Sequence, residues 1–314
     1  MTSPGPHETQ SKIGWLAGRA RRRVHWAREL GLFVGEDKLP PVTRIRTRIA
    51  KWRWRRTHDV APLAVPIYVV GVQRSGTNML VRGFGLSPEF EIHNEDDRRA
   101  FDRFRLRPTD VIRSLVERSG HAFVLFKPLC DSHRVGELLD SLGAPSRGRA
   151  IWIYRRMEGR VRSAVATFGT NNLDVLRAIA AGRAEGRWHA EGISSANIRL
   201  IRSFDYDRLS PESGAALFWN VRNSLYFDLG LSERDDVMLV SYDAFVRDPE
   251  TTMRSLCGFL SYPYTPGLVA HIGRRPSRGS LSLDIDPEIR GRCRELEARL
   301  DSVAQDKARE FLPR

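Results

Sequence analysis

The chain has 314 residues, of which 41% are hydrophobic, and a net charge of +13; this is enough apolar material for one α/β core. Its three cysteines are far apart and lack metal-ligand spacing, which excludes a disulfide scaffold or zinc finger and predicts reduced thiols in the cytoplasm. No run of about 18 apolar residues occurs, and residues 14–18 are too short for a signal-peptide core, so neither a spanning anchor nor a leader is expected.

Residues 1–62 are predicted to be a basic extension, rich in arginine and tryptophan, in front of one domain over residues 63–314. The first 58 residues carry 14 Lys or Arg and only four Asp or Glu. Tryptophan and arginine at helical intervals are typical of an interfacial helix on an anionic membrane, where each basic residue contributes ~1 kcal/mol. A structural or oligomer-contact arm is an equal alternative, and nucleic-acid binding is less favoured.

The first predicted element of the domain is a strand over residues 67–72, where most residues are β-branched or aromatic. Gly71 and Gly76 follow, and their freedom from a side chain lets main-chain N–H groups turn around an anion. From Thr77 the apolar pattern predicts a helix, whose N-terminus carries a partial charge of roughly +0.5. Arg74 adds a full charge, so this turn is predicted to bind phosphate.

The spacing of Gly71 and Gly76 almost matches the nucleotide-triphosphatase loop G-x-x-x-x-G-K-[ST]. However, Thr77 stands at the lysine position and Asn78 at the position that holds magnesium. Losing both residues argues against ATP or GTP hydrolysis. A loop that keeps the glycines, moves the cation to Arg74 and drops the metal ligand suits a phosphosulfate.

Strands and helices alternate through the rest of the domain. Residues 150–155 are predicted to form another apolar strand, and residues 173–181 and 215–229 are predicted to form helices. This alternation predicts an α/β fold with a parallel β-sheet flanked by helices on both faces.

Two segments give the chain a resemblance to a known family. Residues 71–80, Gly-Val-Gln-Arg-Ser-Gly-Thr-Asn-Met-Leu, are similar to the 5′-phosphosulfate loop of sulfotransferases that use 3′-phosphoadenosine 5′-phosphosulfate (PAPS). Arg155, at the end of a strand, and Ser163, eight residues later on a helix, resemble the pair that binds the 3′-phosphate in that family. The family's usual proline and aspartate are replaced by Met157 and Gly159. Residues 123–126 and 129–139 resemble a strand and a helix of the same family, and residues 236–241 resemble its strand that leads into a Tyr-acid pair, here Tyr242 and Asp243. The resemblance spans roughly residues 66–300.

The resemblance implies a P-loop-like fold, PAPS as sulfuryl donor, 3′-phosphoadenosine 5′-phosphate (PAP) as product, and no metal. It also implies a set of nucleotide-binding residues: Arg74, Ser75, Gly76, Thr77, Asn78, Arg155 and Ser163, with Arg278 and Gly279 in a basic loop that closes over the 3′-phosphate.

Three residues are candidates for the chemistry. In the glycan and bacterial branches of the family a glutamate after the second strand is the general base, and Glu95 matches it best by position. His93 is the competitor, because an extended segment places it on the same face as Glu95. Lys127 stands at the family's Lys-Pro position and is one of only five lysines in the chain. Its ammonium could neutralise charge on the leaving group.

The acceptor is expected to be a hydroxyl compound, most naturally a carbohydrate or glycolipid. The protein is expected in the cytoplasm, with a peripheral position at the inner membrane face as a variant of that expectation. Two other classes stay open. One is a P-loop-type small-molecule or nucleotide kinase, which would need the missing lysine and magnesium ligand. The other is a basic membrane- or nucleic-acid-binding adaptor, which would leave Arg155 and Ser163 unexplained.

Overall fold

A computed structural model describes residues 41–58, 64–141, 148–273 and 282–312. The predictions for residues 1–40, and for Arg278 and Gly279, lie outside the described residues. The division into an extension and a domain at residue 62 stays a prediction.

The strands are β1 (Val65–Gly71), β2 (Phe90–His93), β3 (Phe101–Asp102), β4 (Arg105–Leu106), β5 (Phe123–Phe126), β6 (Arg149–Tyr154) and β7 (Val237–Ser241). The α-helices in the described part of the chain are α1 (Pro41–Thr57), α2 (Thr77–Gly85), α3 (Thr109–Glu117), α4 (Val135–Ser141), α5 (Met157–Phe168), α6 (Asn171–Ala180), α7 (Ser195–Arg202), α8 (Pro211–Asp228), α9 (Tyr242–Arg247), α10 (Pro249–Phe259) and α11 (Pro287–Glu310). Short 3₁₀ helices cover Leu129–Arg134, Leu231–Glu233 and Pro266–Leu268.

Five strands form one parallel sheet in the order β2-β5-β1-β6-β7. The strands β3 and β4 form a separate antiparallel hairpin. In the sheet, Gly71 of β1 lies beside Ile153 of β6. The carboxyl ends of these neighbouring strands therefore meet at one edge, which is where open parallel sheets bind ligands.

Helices cover both faces of the sheet, as the sequence predicts. Successive residues of β1 point to opposite faces, so Ile67 belongs to one buried cluster and Tyr68 to the other. The first cluster includes Phe84 of α2 and Leu256 of α10; the second includes Trp219 of α8. Because β1, β6 and β7 are buried on both faces, they are apolar apart from Arg149 at the start of β6 and Ser241 at the end of β7.

The predicted α/β class and its central strands are confirmed. One predicted helix is different: residues 129–139 form a 3₁₀ turn followed by α4, with a kink at Asp131. The buried carboxylate of Asp131 accepts hydrogen bonds from the β4 residues Arg105 and Leu106, which fixes the chain there. No helix among the described ranges is long and apolar enough to cross a membrane.

Candidate functional site

The loop between β1 and α2 needs its two glycines. Gly71 has φ +129° and Gly76 has φ +92°, and Arg74 between them also has a positive φ of 73°. A Cβ on Gly71 would lie 2.3 Å from the carbonyl oxygen of Ile153, and one on Gly76 would lie 2.0 Å from the Tyr242 ring. Glycine at both positions therefore lets β6 and Tyr242 approach the loop backbone.

The loop leads into the N-terminus of α2, and no side chain caps this helix end with a hydrogen bond. Gly76 is the residue before the helix and cannot cap it. The first amides of α2 therefore point their N–H groups and the positive end of the helix dipole toward the loop. Ser75 is fully buried, and its Oγ has no hydrogen-bond partner in the protein. A buried hydroxyl of this kind is normally paired, so the loop is shaped for a ligand that accepts hydrogen bonds.

The second predicted motif lies against this loop. Arg155 follows β6, the strand beside β1, and Ser163 lies on α5. The Nε of Arg74 donates a hydrogen bond of 2.9 Å to Ser163 Oγ, so residues 89 positions apart share one site. The structure thus brings together the two halves of the predicted phosphate clamp.

Arg155 is held by packing, with a free donor on its guanidinium. Its guanidinium carbon lies 4.7 Å from the centre of the Tyr242 ring, and its buried Nε has no hydrogen-bond partner in the protein. A Cβ on Gly159 would lie only 2.9 Å from that Nε. The glycine that replaces the family's aspartate therefore makes room for the Arg155 side chain.

Two site residues, Tyr242 and Asp243, were recognised in the sequence as a Tyr-acid pair but were not predicted to belong to the site. Tyr242 packs against both Gly76 and Arg155, and the next residue, Asp243, accepts a hydrogen bond of 2.7 Å from the main-chain N–H of Arg156. Together they fix the loop and the turn after β6. The Tyr-acid pair directly after the last strand of the sheet was the available signal, since strand ends in a parallel sheet converge.

Arg160 was also missed, and it is fully buried. Its guanidinium donates to the main-chain oxygens of Gln73 and Ala215 and to Asn172 Oδ1, while its Nη2 has no partner in the protein. Within the described ranges no carboxylate pairs with it. Burial, and then the charge of Arg74, lower the pKa of Arg160 to about 9. The site therefore carries a buried positive charge with only neutral partners.

Lys127 and Glu95 form a buried ion pair beside α2. Lys127 Nζ lies 3.1 Å from Glu95 Oε2 and donates a hydrogen bond of 2.9 Å to Asn78 Oδ1. Both charged residues are buried. Lys127, directly after β5, thus supplies an ammonium next to the loop. The loop itself has Thr77 at the position where a nucleotide-triphosphatase loop has its lysine.

The Glu95 carboxyl has a raised pKa. Burial is the main cause, the charge of Lys127 opposes it, and the carboxylates of Asp96 and Asp131 add to it. A carboxylate in such an environment is more basic than an exposed one, while its ammonium partner favours the ionised form. This combination suits proton abstraction near neutral pH.

His93 lies in a different setting from Glu95. The strand β2 ends at His93, so Glu95 follows in a turn and does not share an extended face with it. His93 Nδ1 lies 2.7 Å from Asp97 Oδ2, and its Nε2 lies 3.4 Å from Glu91 Oε1. Burial alone would lower the pKa of His93, but these two carboxylates raise it. A histidine between two carboxylates is held as a cation, which makes it a poor base.

A polar network includes Asp131, whose charge helps to raise the pKa of Glu95. The β4 residue Arg105 binds Asp131 at 2.8 Å and Glu191 at 2.6 Å, and His133 Nε2 lies 3.1 Å from the same Glu191 oxygen. Burial, followed by Glu95 and Asp131, raises the pKa of the Cys130 thiol, so the network is within electrostatic reach of Glu95. We call Arg105, Asp131, His133 and Glu191 the carboxylate network.

The candidate site shows no metal-ligand cluster: within the described ranges, no three His, Cys, Asp or Glu side chains group to hold a metal ion. The cations and unpaired donors around the loop instead suit an anionic ligand.

No family model matches the chain, and no curated protein matches it. Two of the solved structures that are similar to it are sulfotransferases. A sulfotransferase from Alicyclobacillus acidocaldarius is 15% identical with a TM-score of 0.44, and the match covers 77% of this chain and 96% of that one. The sulfotransferase domain of the Synechococcus PCC 7002 olefin synthase is 16% identical with a TM-score of 0.38, and the match covers 80% and 98%. Both carry the family name that the two phosphate motifs suggest. At this distance, the assignment of chemistry depends on the residues themselves.

Proposed function

We propose that the chain is a sulfotransferase that moves a sulfuryl group from PAPS to an acceptor hydroxyl. The observation that carries the proposal is the convergence of both phosphate motifs on one site, through the hydrogen bond between Arg74 and Ser163. The buried, unpartnered donors Ser75 Oγ and Arg155 Nε support it, because each lacks an acceptor that a phosphate or sulfate oxygen would supply.

The donor side of the site, Arg74 to Asn78 with Arg155, Arg160 and Ser163, would hold PAPS. The loop amides, Ser75 and Arg74 suit the 5′-phosphosulfate, while Arg155 and Ser163 suit the 3′-phosphate. PAPS supplies the sulfuryl group and, on losing it, becomes PAP. Two separate anionic groups on one nucleotide explain why this side carries several cations without carboxylates.

Glu95 and Lys127 are proposed to act together. Glu95 would take the proton of the acceptor hydroxyl as its oxygen attacks sulfur. Once protonated, Glu95 no longer neutralises Lys127, so the ammonium becomes available to the negative charge that develops as the sulfur–oxygen bond of the donor breaks. Because Lys127 Nζ and Glu95 Oε2 are only 3.1 Å apart, protonation of Glu95 acts directly on the charge of Lys127.

A carbohydrate or glycolipid hydroxyl is the proposed acceptor. The carboxylate network beside Glu95 already pairs Arg105 with Asp131 and Glu191, so it offers polar contacts without a net demand for an anion. Trp188 lies next to it, with its ring 5.5 Å from the Arg222 guanidinium, and Arg222 donates to the main-chain oxygen of Glu191. Paired charges beside an aromatic ring suit a neutral, hydroxyl-rich ligand.

The enzyme is proposed to act in the cytoplasm. Cys130, Cys257 and Cys293 are free and buried, as expected of a protein in a reducing compartment.

Nucleotide preference tests the proposal. We expect PAP to raise the melting temperature of the full chain, because it pairs the charges of Arg155 and Arg160, whereas ATP with Mg²⁺ should shift it little. A larger shift with ATP and Mg²⁺ would favour a kinase, and no shift with either would favour an adaptor.

Replacing the proposed base tests the chemistry separately. Glu95→Gln should retain the PAP-induced shift and lower kcat by about 10²–10⁴-fold. In the wild type, Glu95 must be ionised to act, and its pKa is raised, so kcat/KM should fall as pH drops through a midpoint above 4.5. Unchanged turnover in Glu95→Gln would eliminate Glu95 as the base, and His93→Gln would then be the next variant to measure.

A further inference from the structure

The helix α1 presents an apolar stripe that the rest of the described chain leaves uncovered. Val42, Ile45, Ile49 and Trp52 recur at intervals of three, four and three residues, which places them on one face of the helix. Each is between 46% and 61% exposed. We call these four residues the α1 stripe.

The opposite face of α1 attaches the helix to the domain. Thr47 is buried, and the Trp54 ring stacks on His121 with centroids 5.9 Å apart. A Cβ on Gly120 would lie 3.1 Å from Arg55 Cδ, so the helix packs closely on the loop before β5. Because one face is docked, the α1 stripe is held pointing outward.

The charged residues around the α1 stripe indicate the kind of surface to which it binds. The 17 residues of α1 contain seven Arg or Lys and no acidic residue, and Arg46 and Arg53 flank the stripe on one side while Arg48 and Arg55 flank it on the other. The Arg56 guanidinium lies 4.2 Å from the Trp52 ring centre. A basic helix with an apolar face and a tryptophan suits the headgroup region of an anionic bilayer.

Other occupants fit less well. A second copy of the chain would place seven like charges against seven others. Residues 1–40 carry seven Lys or Arg against four acidic residues, so they too are net positive. Nucleic acid would satisfy the arginines but offers no apolar phase for Val42, Ile45 and Ile49.

We infer that the α1 stripe docks the protein on an anionic lipid surface. The attachment point supports this geometry. His121 lies just before the amino end of β5, whereas the phosphate loop follows the carboxyl end of the parallel strand β1. The end of α1 that docks on His121 and the donor side therefore lie toward opposite edges of the sheet.

The experiment uses the full chain with vesicles of phosphatidylcholine, with or without phosphatidylserine. The wild type should sediment with the anionic vesicles and be released by salt. Ile45→Ser/Ile49→Ser should weaken this binding by about tenfold or more, because it removes the centre of the stripe. Leu229→Ser, which removes an exposed leucine elsewhere, should bind like the wild type.

Three further readings decide the outcome. The melting temperature without ligand should be the same in all variants, so a folding defect is distinguished from lost docking, and a failure of the sulfotransferase proposal does not affect the test. Equal vesicle binding by Ile45→Ser/Ile49→Ser and wild type would overturn the inference. So would binding to duplex DNA in place of vesicles, or a dimer in solution that this variant converts to a monomer.

Discussion

On the donor side of the site, Arg155 and Arg160 have buried guanidinium nitrogens without partners, and in the described chain no carboxylate neutralises either residue. We call Glu95, Lys127 and the carboxylate network the proposed acceptor side. There, Arg105 binds two carboxylates, and Lys127 pairs with Glu95. Both regions bury positive charge within one small domain. The difference is that Arg105 and Lys127 have carboxylate partners in the protein, whereas Arg155 and Arg160 keep buried nitrogens that have no partner in the described chain.

This difference separates two uses of a buried cation. An uncompensated buried charge is costly, so it persists where a ligand repays the cost in binding. A compensated charge holds its neighbours in place and leaves the cleft close to neutral. This comparison is the reason why we propose a polyanionic nucleotide on the donor side and an uncharged acceptor on the other.

Gly76→Ala should have the largest effect on PAP binding, because it distorts the backbone of the loop on the donor side. The new Cβ would overlap the Tyr242 ring. In addition, an alanine held at φ +92° would strain the backbone by about 1–3 kcal/mol. We expect the PAP-induced melting shift to disappear. Gly291→Ala in α11, where a Cβ meets nothing within 4 Å, is the matched control and should keep the shift. Retained PAP binding in Gly76→Ala would mean that the loop does not hold the nucleotide.

Lys127→Met tests the paired charge. It should lower kcat by about 10²-fold or more while changing PAP affinity little, because the ammonium is proposed to act on charge that develops in the transition state. Kinetics at saturating PAPS, together with calorimetric PAP binding, separate the two effects. Lys307→Met, which removes a lysine that binds only the Arg234 carbonyl, should be near wild type. A loss of affinity with unchanged kcat would make Lys127 a binding residue.

Arg155→Met should weaken PAP binding by about 10–100-fold, the range for losing charge-assisted hydrogen bonds to a phosphate. The neighbouring Arg156 provides the control, since its side chain is 52% exposed and faces Glu297. Arg156→Met should bind PAP with wild-type affinity in the same titration. Equal losses in both variants would show that general positive charge, and not the Arg155 position, drives binding.

Ser163→Ala is expected to have the smallest effect. It removes the acceptor of the Arg74 Nε hydrogen bond, which is worth about 0.5–1.5 kcal/mol, so PAP affinity should fall by about tenfold at most. Ser224→Ala on α8 is a control that removes a hydroxyl bound to Asn197. A loss as large as that of Arg155→Met would contradict this order and show that the Ser163 hydroxyl contributes as much to PAP binding as the Arg155 charge.

Much of the donor side could be predicted because its signals are local. A strand, two glycines at fixed spacing and a helix start specify the loop wherever the segment folds, and the structure has β1 and α2 at these positions. The pairing of Arg155 with this loop was predicted from the family resemblance. The hydrogen bond between Arg74 and Ser163 is what joins the two motifs in the structure.

Other parts could not be predicted, since they depend on contacts across the sequence. Nothing local distinguishes the buried Arg160 from the exposed Arg156. The alternation of residues 91, 93 and 95 predicts one shared face, but β2 ends at His93 and Glu95 turns toward Lys127. In the sequence, Asp131 is part of a predicted helix. In the structure, its carboxylate accepts hydrogen bonds from β4, and the chain is kinked at this residue.

The sequence by itself determined the α/β class, the phosphate loop and the apolar strands, because backbone conformation and burial follow from residue type and spacing along a short segment. Only the tertiary structure decided which charges are neutralised and which are not. Charge compensation depends on distances of about 3 Å between side chains from different strands and helices, and the order of strands in the sheet sets those distances. The sequence places tryptophan and arginine at helical intervals in the extension, and the stacking of Trp54 on His121 shows which face of α1 carries the α1 stripe outward.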